Sequence, residues 1–82
     1  MIYLPMSAFL DRCCNDYENE IQITALNLGD CWTLNDSSCS FALCNSRDPL
    51  RARHFATLDA AFSACRKVVS PDHPMRLRFQ AV

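Results

Sequence analysis

Gly29 is the only glycine in a chain of 82 residues. Gly-rich phosphate loops need several positions where the backbone can approach a phosphate closely, and none can form here. The Gly-rich loops of small disulfide-stapled scaffolds are missing for the same reason. The length sets a second bound. Eighty-two residues make one domain, residues 1–82, with no room for a separate catalytic domain or a nucleotide-binding α/β sheet. Half of the residues are apolar, enough for one compact core.

The net charge of −1 hides a split. Residues 1–45 carry Asp11, Asp16, Glu18, Glu20, Asp30 and Asp36 against Arg12 alone. Residues 46–82 carry Arg47, Arg51, Arg53, Arg66, Lys67, Arg76 and Arg78 against Asp48, Asp59 and Asp72. A surface of one sign concentrates partners of the other sign. The basic half therefore points to phosphates or to acidic protein surfaces.

Six cysteines, Cys13, Cys14, Cys31, Cys39, Cys44 and Cys65, are many for this length. An even count in a short chain allows a disulfide framework. The first residues lack the basic n-region of a secretory signal, and Pro5 interrupts a short apolar run, so no signal peptide or membrane span is read. Several cysteines also fall at core-facing positions, where a thiol acts as a small apolar group. The expectation is a cytoplasmic protein with all six thiols reduced.

Periodicity predicts the elements. Residues 1–6 read as an extended lead-in ending at Pro5. Ser7 is the expected cap of a helix to Tyr17, with Phe9, Leu10, Cys13, Cys14 and Tyr17 on one face. Ile21 to Leu28 reads as a strand, with Ile21, Ile23 and Ala25 on one side. Cys31 to Leu34 and Cys39 to Cys44 read as a hairpin around the turn formers Asn35 to Ser38. Leu50 to Phe55 is another short strand candidate. Thr57 caps a helix to Val69, with Asp59 in its first turn and Arg66 and Lys67 in its last, as the helix dipole favours. Leu58, Phe62 and Cys65 form its expected buried stripe, and Pro71 stops it. Met75, Leu77, Phe79 and Ala81 then alternate with Arg76, Arg78 and Gln80 in a half-buried strand. The predicted fold class is α+β: a small antiparallel sheet of three to five strands with two helices packed on one face.

The alternation places Arg76 and Arg78 together on the open face of the sheet. Arg51 and Arg53, two apart, share one side of their segment. The four are expected to form a basic face, with Trp32 and Phe41 as stacking surfaces for bases. Alternatively the arginines solubilise an open sheet face and pair with the acidic helix. From Trp32 to Val69, a short hairpin followed by "ARHFATLDAAFSACRKV" resembles the three-strand-plus-helix DNA-binding modules of the AP2 and integrase-arm type. That resemblance implies a sheet face of arginines and aromatics entering the DNA major groove, with the helix packed behind.

Metal and catalytic chemistry find little support. Cys31, Cys39 and Cys44 with His54 or His73 make a four-ligand set on paper, but no Cys-x-x-Cys pair is present, and structural zinc sites usually show one. Cys44, His54 and Asp48 lack the walled pocket that nucleophilic catalysis requires. No cofactor, no metal and no catalytic residue is expected. Asp11, Asp16, Glu18 and Glu20 allow a different idea, carboxylates that mimic phosphate in the basic groove of a partner. The sequence thus predicts a small non-enzymatic binding protein, accessory or regulatory, that engages nucleic acid through Arg51, Arg53, Arg76, Arg78 and Trp32. The alternative is a protein-interaction module, or an inhibitor of a nucleic-acid-processing complex like the anti-CRISPR proteins of phages and plasmids. Either acts as a monomer or a homodimer, without a membrane.

Overall fold

Alternating apolar and polar residues build six strands into one curled sheet. The computed structural model describes residues 1–82 as β1 (Ile2–Leu4), α1 (Met6–Cys13), β2 (Cys14–Asn15), β3 (Glu20–Asn27), β4 (Trp32–Asn35), β5 (Phe41–Leu43), α2 (Leu58–Val68) and β6 (Arg76–Ala81). The sheet has six strands curled as a half-barrel. Its path runs β1, β5, β4, β3, β2, and β6 pairs with β3. The fold is α+β, as expected, but the sheet is mixed and larger than a small antiparallel one. β1 runs parallel to β5, and β6 runs parallel to β3 from Glu20↔Arg76 to Ala25↔Ala81. The remaining pairs are antiparallel. For β6 the parallel pairing has a physical origin: α2 carries the chain from β5 back to the sheet in the same direction, the crossover that parallel strands need, and β5, β3 and β6 all run one way. The turn after α1 instead sends β2 back against β3, opposite to β1.

The core forms where the helices meet the sheet. Ile21, Ile23 and Ala25 of β3, Leu34 of β4 and Leu43 of β5 are buried with Phe9, Leu10 and Cys13 of α1 and Ala61 and Cys65 of α2. Phe55 and Val69 complete the cluster. Met75, Leu77 and Phe79 pack against it, as the alternation in β6 requires. On the other face, Thr24, Thr33 and Asn35 are buried polar residues. No buried side-chain nitrogen or oxygen lacks a hydrogen-bond partner.

The first helix is shorter than predicted and is not capped by Ser7. It begins after Pro5, which makes no side-chain cap, and stops at Cys13. Cys14 and Asn15 turn extended and pair with Ile21 and Glu20. Asn15 Oδ1 then accepts the N–H groups of Tyr17 and Glu18 at 3.1 and 3.2 Å. These bonds replace the helical ones, and Asn19 closes the turn at φ 54°. Tyr17, expected on the buried face, is fully exposed, and Cys14 lies on the exposed side.

The β4–β5 hairpin forms as predicted, with its turn shifted onto residues 36–40. Asn35 stays in β4 opposite Ala42. Asp36 organises the turn: Oδ1 accepts from Ser40 N–H at 2.9 Å and Phe41 N–H at 3.0 Å, and Oδ2 accepts from Ser38 Oγ at 2.6 Å. Cys39 takes φ 60° there. Leu50 to Phe55 makes no continuous strand. Only Ala52 bridges Cys44 and Phe55 bridges Trp32.

α2 follows the prediction closely. Thr57 Oγ1 accepts Ala60 N–H at 3.1 Å, and the charged residues sit at the ends that suit them. Its buried stripe is rotated, however. Ala61 and Cys65 are fully buried, whereas Leu58 and Phe62 are half-buried against the rim of the core.

Candidate binding surface

β6 positions two exposed arginines. Its even-numbered residues face away from the helices, so Arg76 and Arg78 share one surface with Gln80. Arg78 Nη1 lies 3.7 Å from Glu20 Oε1 on the neighbouring strand. The guanidinium side is largely open and the contact is long, so this pair contributes little. Arg76 makes no ion pair with any carboxylate. Beside Arg78, a cleft of about 90 Å³ is lined by Gln22, Thr24, Ser37 and Gln80. Its rim is almost entirely polar, with amide, hydroxyl and guanidinium groups together.

Arg51, Arg53 and Trp32 lie elsewhere, so the expected four-arginine face does not assemble. Arg51 Nε pairs with Asp48 Oδ2 at 3.2 Å in the loop after β5. Arg53 donates its backbone N–H to Leu43 and lays its guanidinium 4.7 Å from the centre of the Phe55 ring. β3 and β4 separate this region from β6. Three strand spacings at about 4.8 Å each put it roughly 14 Å away. Trp32 packs against the core on the helix side of the sheet, away from the face of Arg76 and Arg78. Phe41, the other expected stacking ring, is covered by the Arg12 guanidinium at 4.6 Å.

One basic residue near β6 escaped the sequence reasoning. Arg66 lies 5.6 Å over the Phe62 ring, and Phe62 in turn packs on Phe79 of β6. The signal was present: Phe62 and Arg66 are four apart on a helix, where side chains meet. Its place in the last turn of α2 had explained it already.

The thiols lie in two environments. Burial, aided by Asp36, Cys65 and Cys14, pushes the Cys13 thiol up to about 12. Burial pushes the Cys65 thiol up to about 11, against the pull of Arg53. Burial, with Asp11 and Asp16, raises Cys14, and its Sγ donates to Leu10 O at 3.4 Å. Burial and Asp30 raise Cys31. Thiols held protonated in this way are poor nucleophiles and poor metal ligands. All six are free thiols, and no group of three or more His, Cys, Asp or Glu side chains has metal-site geometry. Asp48, drawn in the sequence as a catalytic partner, is occupied by Arg51 and the Leu50 N–H. No helix is long and apolar enough to cross a membrane.

The chain matches no known protein family, no curated protein and no solved structure.

Proposed function

We propose that this is a small non-enzymatic binding protein, accessory or regulatory, that engages nucleic acid through β6, with Arg76 and Arg78 as the phosphate contacts. The observation that carries the reading is Arg76, an exposed arginine with no carboxylate partner, two residues from Arg78 on the same face of an edge strand. Arg51, Arg53 and Trp32 play no part in this face. Two phosphate contacts release few counterions, so binding is weak and depends modestly on salt, with a log–log slope near −2. The site of action is the cytoplasm, in keeping with six free thiols.

The test is fluorescence anisotropy with random-sequence duplex and single-stranded DNA at rising salt, using the wild type and the double variant Arg76→Glu/Arg78→Glu. Salt-sensitive binding that the variant loses supports the reading. Absence of binding at low salt rules it out.

A protein-interaction role, including inhibition of a nucleic-acid-processing complex, is the second reading. The unpaired outer edge of β6 favours it, because free strand edges are docking sites for other chains.

A further inference from the structure

The hydrogen-bond phase of β6 defines which of its groups are unpaired. Arg76 N–H donates to Asn19 O at 3.3 Å, Val82 N–H donates to Ala25 O at 2.8 Å, and Asn27 N–H donates to Val82 O at 3.2 Å. Even-numbered residues of β6 therefore aim their backbone groups at β3. Leu77, Phe79 and Ala81 aim theirs at the free edge, and β6 pairs with no strand but β3. Natural edge strands are blunted by charged side chains, proline, a bulge, inward charges or by being very short. β6 carries Arg76 and Arg78 on its outer face but no proline, bulge or inward charge over Arg76–Ala81. Its inward row, Leu77, Phe79 and Ala81, is also incompletely covered: the first two are half-buried and the third is exposed.

We propose that this edge is an interface between two copies of the chain, joined by antiparallel β6–β6 pairing centred on Phe79. The phase requires Leu77, Phe79 and Ala81 to form the hydrogen-bonded pairs. A two-fold axis normal to the sheet keeps each residue on its own face, so a residue pairs only with one of like parity. Centring on Leu77 sets Arg76 opposite Arg78, and centring on Arg78 sets Arg78 opposite itself. Like charges directly opposite are destabilising. Centring on Phe79 avoids both. Phe79 then meets Phe79 of the second copy, and Leu77 meets Ala81, large against small. On the other face Arg78 lies between Gln22 of its own chain and Gln80 of the second copy, two amide oxygens able to accept from it. Centring on Gln80 also keeps the arginines apart, but it pairs only Phe79 with Ala81 and leaves Leu77 outside the ladder, so the Phe79 register pairs more of the strand. This interface does not depend on the nucleic-acid reading, and dimerisation is measured without nucleic acid.

The experiment is sedimentation equilibrium of the full chain across a wide concentration range, together with amide exchange by NMR. A reversible dimer is expected. The Leu77, Phe79 and Ala81 amides become protected as concentration rises, while those of Arg78 and Gln80 are protected throughout. Ala81→Pro removes an outward N–H that β3 does not use, a position where edge strands tolerate proline. It is expected to weaken association about tenfold or more with the fold intact. Gln80→Glu, which sets a carboxylate opposite Arg78, is expected to strengthen it several-fold, and Gln80→Arg to weaken it. The proposal is overturned by a chain that stays monomeric at every concentration. It is equally overturned by a folded Ala81→Pro variant that dimerises like wild type, or by concentration-dependent protection outside β6 only.

Discussion

Phe62 and Phe79 meet edge to face, with ring centroids 5.2 Å apart and planes inclined at 68°. This contact joins α2 to β6, the last two elements of the fold. It lies at the rim of the core, so it is a clasp between elements already packed elsewhere. Phe62→Ala is expected to cost about 2–3 kcal/mol, below the roughly 3–5 kcal/mol typical of a fully buried ring. A urea-denaturation cycle with Phe62→Ala, Phe79→Ala and the double variant is expected to give a coupling of about 0.5–1.5 kcal/mol. Strict additivity would refute the clasp.

Asp36 predicts an acid-sensitive hairpin. Burial raises its carboxyl, but the bonds from Ser38, Phe41 and Ser40 outweigh burial and hold it below the usual carboxylate range. A carboxyl lowered by folding stabilises the native state above its unfolded pKa. That stability fades as pH falls from about 4 through the folded value. Asp36→Ala is expected to cost about 1–3 kcal/mol at neutral pH, because the Ser40 and Phe41 N–H groups lose their acceptor. Asp36→Asn keeps one acceptor oxygen. It is expected to lose less and to flatten the acid limb of a stability–pH curve measured by thermal denaturation. An acid limb unchanged in the Asn variant would assign that sensitivity to another group.

Thiol labelling is expected to occur in stages. A maleimide added to native protein at mildly alkaline pH reaches the exposed Cys39 first, and Cys14, accessible but with its thiol pKa raised, more slowly. Cys13 and Cys65, buried and held protonated, react only through opening of the fold. Mass spectrometry over time is expected to show two slow labels whose rate rises with urea. Rapid addition of all six labels under native conditions would contradict this packing of α1 against α2.

Thr57→Ala is expected to cost about 1 kcal/mol, the usual value for losing an N-cap acceptor. Arg76→Glu/Arg78→Glu is expected to cost up to about 1 kcal/mol, because it sets a carboxylate opposite the largely buried Glu20 and removes the long contact of Glu20 with Arg78. Thermal melts of these variants check both values.

Local signals carried the reading of the chain as far as local physics reaches. The cap at Thr57, the acidic and basic ends of α2 and the alternation of β6 depend on neighbours in sequence, and all appear in the fold. The stop at Cys13 does not. Cys14 and Tyr17 continue the helical period, and only pairing with Ile21 and Glu20 ends it. Strand order was equally hidden. Alternation puts Arg76 and Arg78 on one face, but nothing within Arg51 to Phe55 states that two strands separate them from β6. The expected basic face failed at that step. The rotation of the α2 stripe has a similar source: Ala61 is small enough for close approach to the sheet, and the larger Phe62 is moved to the rim.

The pairing of Glu20 with Arg76 also has a timetable. On the ribosome, β3 emerges long before its parallel neighbour exists. At roughly 5–20 residues per second the delay is on the order of several seconds. During that interval the nascent chain can form the β4–β5 hairpin and raise α2, while Ile21 and Ile23 wait beside an empty lane. Each nascent chain thus exposes a sticky, half-finished sheet for that interval, and faster elongation shortens it. Slower translation between the two strands would bring no benefit, since only the arrival of residues 76–81 closes the gap.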